Sequence, residues 1–376
     1  MTIDREAHPA HEHIETVIIG AGQAGLAVAQ QLTERGRPCV VLDANARVGD
    51  NWRRHYDSLV LYNPAKLCSL PGLVFPGDPD RYPTRDEVGD YLEDYAATLH
   101  LPVRPRTWVR AVRPVGDRYL VSCEEREILA DNVVVATGTF GRAYTPAFAS
   151  ELDPSIVQLH SSEYRNPSQL QPGPVLVVGA AHSGADIAME LAGRHTTVLA
   201  GRDTGQVPFD LGSRRMRVLW PVLSFVARRV LTLKTPVGRK VHDEIRAHGG
   251  PLIRYKTADL VEAGVERVED RVTGVRDGRP VLGGERLLEA ANVVWCTGFR
   301  QDFGWIDLPI VGEDGWPREQ RGVVTDAPGL YFAGLAFQYS FGSMLLVGVG
   351  QDAAYLAKHI DARTPVRERA VARAAA

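Results

Sequence analysis

The run Val17-Ile18-Ile19-Gly20-Ala21-Gly22-Gln23-Ala24-Gly25 sets an apolar segment directly against the pattern G-x-G-x-x-G, with apolar residues at helical spacing behind it. In that order Gly20 permits a tight turn, Gly22 lets the backbone approach an anion, and Gly25 lets helix and strand pack closely, with the helix N-terminus facing the anion. The spacing predicts a strand, a turn and a helix over residues 24–35, closed by Gly36 and Pro38. A second apolar run, Cys39–Leu42, ends at Asp43, 23 residues after Gly20, where a carboxylate can hold ribose hydroxyls.

The device recurs 159 residues later as Gly179-Ala180-Ala181-His182-Ser183-Gly184, after the apolar run Val175–Val178. Here Ala181 stands at the middle glycine position, and the residue 23 places beyond Gly179 is Arg202. A carboxylate repels a ribose 2′-phosphate, whereas a guanidinium pairs with it in a bidentate way. The first site therefore reads as FAD-binding and the second, with Ser183 in its loop, as NADPH-binding; the alternative for Arg202 is a solvated arginine after a buried strand. A further repeat supports duplication. Val133-Val134-Val135-Ala136-Thr137-Gly138 and Val293-Val294-Trp295-Cys296-Thr297-Gly298 lie 160 residues apart, each after short strands broken by turn residues such as Gly116-Asp117 and Asp277-Gly278. Strands stopping at Gly138 and Gly298 leave a small, flat backbone under a dinucleotide.

These patterns give an α/β chain of two Rossmann-like dinucleotide-binding domains, each with an inserted β-meander, the NADPH domain lying within the FAD domain. The expected bounds are 14–155 for the first part of the FAD domain, 156–295 for the NADPH domain and 296–362 for the return, with tails at 1–13 and 363–376. A length of 376 residues suits two such domains. The net charge of -3 gives no electrostatic case for nucleic acid. Cys39, Cys68, Cys123 and Cys296 stand too far apart for a C-x-x-C redox pair or a zinc site and read as buried thiols. His8, His11 and His13 read as part of a terminal arm rather than a metal site, and the N-terminus has neither the basic start nor the apolar run of a signal peptide, so the expectation is a cytoplasmic protein with no metal and no membrane span. Thr84-x-x-Glu87 forms a capping box, and Val88, Tyr91, Leu92, Tyr95 and Leu99 then follow a helical core stripe.

Beyond Asp43, the segment Gly49-Asp50-Asn51-Trp52-Arg53-Arg54 and the later Tyr62-Asn63-Pro64 resemble the flavin-containing monooxygenase family, in which G-G-x-W follows the FAD acid. Asp50 departs from the second glycine of that stretch. His160 and Tyr164 resemble the H-x-x-x-Y end of the fingerprint F-x-G-x-x-x-H-x-x-x-Y, although Pro154 and Ile156 stand where it has Phe and Gly. Tyr164-Arg165 does not match the Trp-Pro of the Baeyer-Villiger enzymes, and His160 reads as a residue that orders a linker. The resemblance implies FAD contacts near Trp52 and Gly334, where Leu335 replaces a common aspartate, and it puts Asn63 by the flavin ring. A turn residue before Pro64 is the equal alternative for Asn63.

The same resemblance implies an oxidoreductase that takes hydride from NADPH onto FAD, activates O2 as a C4a-(hydro)peroxyflavin and oxygenates nitrogen, sulfur or activated carbon of a small organic substrate. A flavin reductase or oxidase without oxygen insertion needs the same two sites. A nucleotide sensor attached to a membrane transport system is the non-enzymatic alternative. An insertion at about 205–255 separates the readings further, since twelve Lys or Arg face four Asp or Glu between Gly201 and Lys256. Its apolar run 218–227 is too short to span a bilayer and reads as a lid over the protein in preference to a peripheral membrane contact.

Overall fold

The structure is a computed structural model that describes residues 12–247 and 250–363. β1 (Glu12–Ile19) ends in four buried residues, as a central strand covered on both faces requires. α1 (Gln23–Thr33), β2 (Cys39–Leu42), the short α2 (Asp50–Arg53) and α3 (Arg85–Thr98) follow. α3 begins at the capping box: Glu87 N donates to Thr84 Oγ1, and Thr84 N donates to the Glu87 carboxylate. Its buried tyrosines fix the preceding loop, because Leu70 N donates to Tyr91 Oη, Tyr91 donates to Leu73 O and Tyr95 to Pro71 O. β3 (Val103–Arg104), β4 (Val109–Val115), β5 (Arg118–Cys123) and β6 (Glu127–Val135) complete a sheet of order β3-β2-β1-β6-β5-β4, parallel up to β6 and antiparallel beyond it.

β7 (Arg142–Ala143) leads to the second sheet, whose elements are β8 (Val157–His160), β9 (Val175–Val178), α4 (His182–Leu191) and β10 (Thr197–Ala200). Three helices, α5 (Arg214–Phe225), α6 (Pro236–Ala247) and α7 (Thr257–Glu262), precede β11 (Glu266–Val268). The meander β12 (Val272–Arg276), β13 (Arg279–Leu282) and β14 (Arg286–Leu287) comes next, then β15 (Asn292–Trp295). The order β11-β10-β9-β15-β8 is parallel throughout. β16 (Phe299–Arg300) pairs antiparallel with β7, so the two crossings between the sheets run together as one ribbon. β17 (Leu330–Phe332) then returns to the first sheet beside the C-terminal half of β6, whose N-terminal half pairs with β5. α8 (Leu346–Arg363) packs alongside α1 in a common core that includes Leu26, Ala29, Val349, Ala353 and Leu356.

The chain thus folds as two Rossmann-like units with a meander in each. Three local expectations change. β1 starts at Glu12, so His13 belongs to the sheet, where it bonds Asp131 at 3.0 Å; His8 and His11 lie outside the described residues. α1 ends two residues before Arg35, and α8 continues to Arg363. Of the four cysteines, which are all free, only Cys68 is buried; Cys39, Cys123 and Cys296 sit at partly covered strand ends.

Candidate functional site

Both glycine turns rest on the Thr-Gly end of the neighbouring strand. Gly20 (φ +108°) would place a Cβ 2.6 Å from Ala136 O, and Gly179 (φ +106°) 2.2 Å from Cys296 O. One turn further on, a Cβ on Gly25 would lie 1.9 Å from Gly20 O and one on Gly184 1.8 Å from Gly179 O. Gly22 differs, since the nearest group to its missing side chain is Asn51 Nδ2 at 3.5 Å, which leaves the backbone open to a ligand. Gly138 and Gly298 follow the strands beside the two turns in left-handed conformation, and a Cβ on Gly334 would lie 2.6 Å from Ala24 Cβ. The helix starts are alike as well. Neither Gly22 before α1 nor Ala181 before α4 supplies a side-chain cap, in contrast to Thr84 before α3 and Ser213 before α5, and neither first turn holds an acid, in contrast to α3 with Asp86 and Glu87. Their first-turn N–H groups are therefore left for an anion.

Asp43 is buried at the mouth of the first turn. Its Oδ2 accepts from Ala21 N at 2.6 Å and its Oδ1 from Asn45 N at 2.7 Å, so the carboxylate shapes the turn that it stands beside. Remaining lone pairs on both oxygens can still accept ribose hydroxyls. Trp52 Nε1 donates to Gln23 Oε1, and Gln23 Nε2 donates to Met344 O, which ties α2, α1 and the approach to α8 together. Asp50 turns away from this mouth: it pairs with Arg47 and Arg53, and Arg53 extends the network to Asp90 and Glu93 on α3. Leu335 lies in the core, with its N–H on Gln338 Oε1.

At the second turn, Arg202 is exposed just beyond Gly201 at the end of β10, with no hydrogen bond or ion pair among the described residues; Ser183 is half-buried in the first turn of α4. Arg267 on β11 is close by but committed to the carbonyls of Leu199, Val268 and Gly201. His160 serves the linker. Its Nε2 donates to Gly298 O at 3.0 Å while Nδ1 accepts from Ser162 N, and burial pushes its pKa down, which keeps the ring neutral.

Across the two domains, against α4, lies a cluster centred on Asp186 that sequence reasoning did not find. Tyr56 and Tyr62, from the first domain, both donate to Asp186 Oδ2 at 3.0 Å on α4 of the second, and Arg254 approaches the same oxygen at 3.8 Å. The His182 ring lies 5.0 Å from that of Tyr62, and its Nε2 donates to Pro251 O. Burial raises the Asp186 carboxyl against the opposing pull of Arg254 and the two hydroxyls, and burial lowers His182. A signal was present: Asp186 is an acid among the buried positions Ala185, Ile187 and Ala188 of a helix. Asn63, next to Tyr62, is half-buried and its side-chain amide has no hydrogen bond among the described residues.

Residues 17–208, which hold both glycine turns, Asp43 and Arg202, match the family model described as pyridine nucleotide-disulphide oxidoreductase. The chain belongs to this family. Relatives of the pyridine nucleotide-disulphide oxidoreductase chain include an oxidoreductase named CzcO-like from Geobacillus kaustophilus, 37% identical over 92% of this chain and 98% of that one. A probable indole-3-pyruvate monooxygenase, YUCCA3 of Arabidopsis thaliana, is 27% identical over 88% of this chain and 84% of that one. Among solved structures, a flavin-containing monooxygenase from Stenotrophomonas maltophilia superposes with a TM-score of 0.74 and 26% identity, covering 93% and 99% of the two chains. The chain is thus of the flavin-containing monooxygenase-like kind, a flavin-dependent oxidoreductase.

All four cysteines are free, and burial raises every thiol, Cys39 to about 11 and Cys68 to about 12. The insertion is anchored to the first domain. Leu233 N donates to Tyr339 O and Phe341 N to Leu231 O, so the segment after α5 is bonded to the stretch that leads into α8. A cavity of about 690 Å³ lined by Glu12, Pro38 and Arg104 lies at the opposite end of the first sheet from the glycine turns, away from this chemistry.

Proposed function

We propose that the protein is an NADPH-dependent FAD monooxygenase that oxygenates a nitrogen, a sulfur or an activated carbon of a small organic substrate. The observation that carries this reading is the pair of uncapped helix starts behind glycine turns, one beside Asp43 and the other beside the unpaired Arg202. The residues fit the two cofactors. Gly22 and the first N–H groups of α1 would hold the FAD pyrophosphate, with Asp43 on the ribose; α4 and Arg202 would hold NADPH, with Arg202 on the 2′-phosphate. When bound, FAD supplies a hydride acceptor and the centre at which O2 is activated. The protein's own part is to hold the two nucleotides in register and exclude water. Tyr56, Tyr62 and Asp186 bridge the two domains beside Asn63, whose free amide is the group available to hydrogen-bond at the reacting face.

Isotopically labelled O2 tests the oxygenation, with thioethers and tertiary amines as probes: label in the product, in step with NADPH consumed, is expected. Asn63→Ala should leave the rate of flavin reduction by NADPH nearly unchanged and divert O2 to H2O2, since water is no longer kept from the activated oxygen. A wild type that turns all its O2 into H2O2 with every nucleophile overturns the proposal in favour of a flavin reductase, and unchanged coupling in Asn63→Ala returns that residue to a turn role.

A further inference from the structure

α5 is apolar on two sides. Its inner side, Met216, Trp220 and Ser224 at i, i+4 and i+8, is buried on the protein, where Trp220 Nε1 donates to Tyr82 Oη at 3.0 Å and Tyr82 donates to Leu211 O at 2.7 Å. Its outer side carries Val218, Val222 and Phe225 at i, i+4 and i+7, and these are 77%, 56% and 57% exposed. Leu219, Val230 and Val237 add to the exposed apolar surface of the insertion. A surface helix with one buried stripe ordinarily turns polar residues outward, and a contiguous apolar outer face marks a contact. The charge around it has one sign. From residue 211 to residue 242 the chain has eight Lys or Arg and no Asp or Glu, and none of the eight forms a salt bridge among the described residues. The base of the insertion is fixed by the bridge between Thr232 and Ser340, so the outer face is presented on a firm support.

We propose that this face docks on an anionic membrane surface, with Val218, Val222 and Phe225 entering the acyl boundary and Arg214, Arg215 and Arg229 on the headgroup phosphates. Twelve residues of helix make a rod of roughly 18 Å, which lies in the interface and does not cross it. Nucleic acid would use the arginines and leave the valines and Phe225 without a role. A second copy of the chain, placed across a two-fold axis, would set arginines against arginines. Lipid uses both halves of the surface. The proposal is independent of oxygen transfer, because docking needs no turnover.

The FAD-loaded full chain is spun down with vesicles of phosphatidylcholine alone and with vesicles in which about one third of the lipid is phosphatidylglycerol. Binding to the second set, weakened by added salt, is expected. The double variant Val222→Ser/Phe225→Ser should lower partitioning by about tenfold or more, and Arg214→Gln/Arg215→Gln by roughly 5-fold per arginine. Flavin reduction by NADPH should be unchanged in both, which shows that the fold is intact. No pelleting with anionic vesicles at low salt overturns the proposal. So does equal binding by wild type and both variants, capture by DNA in place of vesicles, or a dimer that forms through this face and leaves vesicles unbound.

Discussion

Replacing Asp43 tests whether that carboxylate builds the first turn before any nucleotide arrives. The side chain holds two backbone N–H groups, Ala21 at 2.6 Å and Asn45 at 2.7 Å, and Ala21 is buried. Hydrogen bonds to an ionised acceptor contribute ~1.5–3 kcal/mol each, so Asp43→Ala should destabilise the flavin-free protein by ~3 kcal/mol. Asp43→Asn retains a carbonyl acceptor for Ala21 and should lose ~1 kcal/mol. Urea unfolding of the flavin-free proteins, compared at a common slope, reads these differences directly. Added FAD should then raise the midpoint of the wild type more than that of Asp43→Ala, because the variant also lacks the ribose contact. A flavin-free Asp43→Ala protein within about 0.5 kcal/mol of wild type refutes the structural half of this account; an equal gain from FAD in both refutes the ligand half.

The paired glycines allow the two sites to be disabled separately: Gly184→Ala forces a Cβ within 1.8 Å of Gly179 O, a clash of ~3 kcal/mol or more, and should yield a yellow protein that no longer responds to NADPH, whereas Gly25→Ala should lose its flavin. Absorbance of the purified proteins and NADPH titration distinguish the two, and a colourless Gly184→Ala contradicts the assignment. Arg202→Ala should narrow the NADPH-over-NADH ratio of kcat/KM by roughly 10- to 150-fold, and an unchanged ratio removes Arg202 from the 2′-phosphate. His55 is held down to about 4 from 6.5 by burial and by Arg165 and Arg85, so the folded protein resists a proton that the unfolded chain accepts. Its contribution is present above pH 6.5 and is lost as the pH falls towards 4, by ~3 kcal/mol in all, and His55→Gln should flatten that part of the stability profile.

Much of the frame is local, and local patterns are what a sequence displays. The α3 capping box and the Val88, Tyr91, Leu92 and Tyr95 stripe depend on neighbours within a few residues, with Leu99 falling half-buried one residue past the helix, and the two glycine turns announce themselves by local spacing although each packs on a distant Thr-Gly strand end. The Tyr56-Tyr62-Asp186 cluster joins residues 124 and 130 positions apart, so no period announces it. Asp50 illustrates a second limit. Its departure from glycine is absorbed by Arg47 and Arg53, with Arg53 in turn held by Asp90 and Glu93 on α3, a compensation visible only once α2 and α3 are side by side. The insertion shows a third. A single apolar run suggests one buried face, and α5 divides that run between an inner face packed at Trp220 and an outer face at Val218, Val222 and Phe225.

The divided pairing of β6 sets an order of events on the ribosome. Its N-terminal half meets β5 as soon as the hairpin is made, but its C-terminal half waits for β17, nearly 200 residues later. In that interval the whole second sheet, from β8 to β15, is synthesised and has every strand it needs. The domain that is begun second is therefore completed first. Until α8 emerges, the α1 surface that it covers stays open, and the half-made first domain is the stretch of the nascent chain with the greatest need of a chaperone.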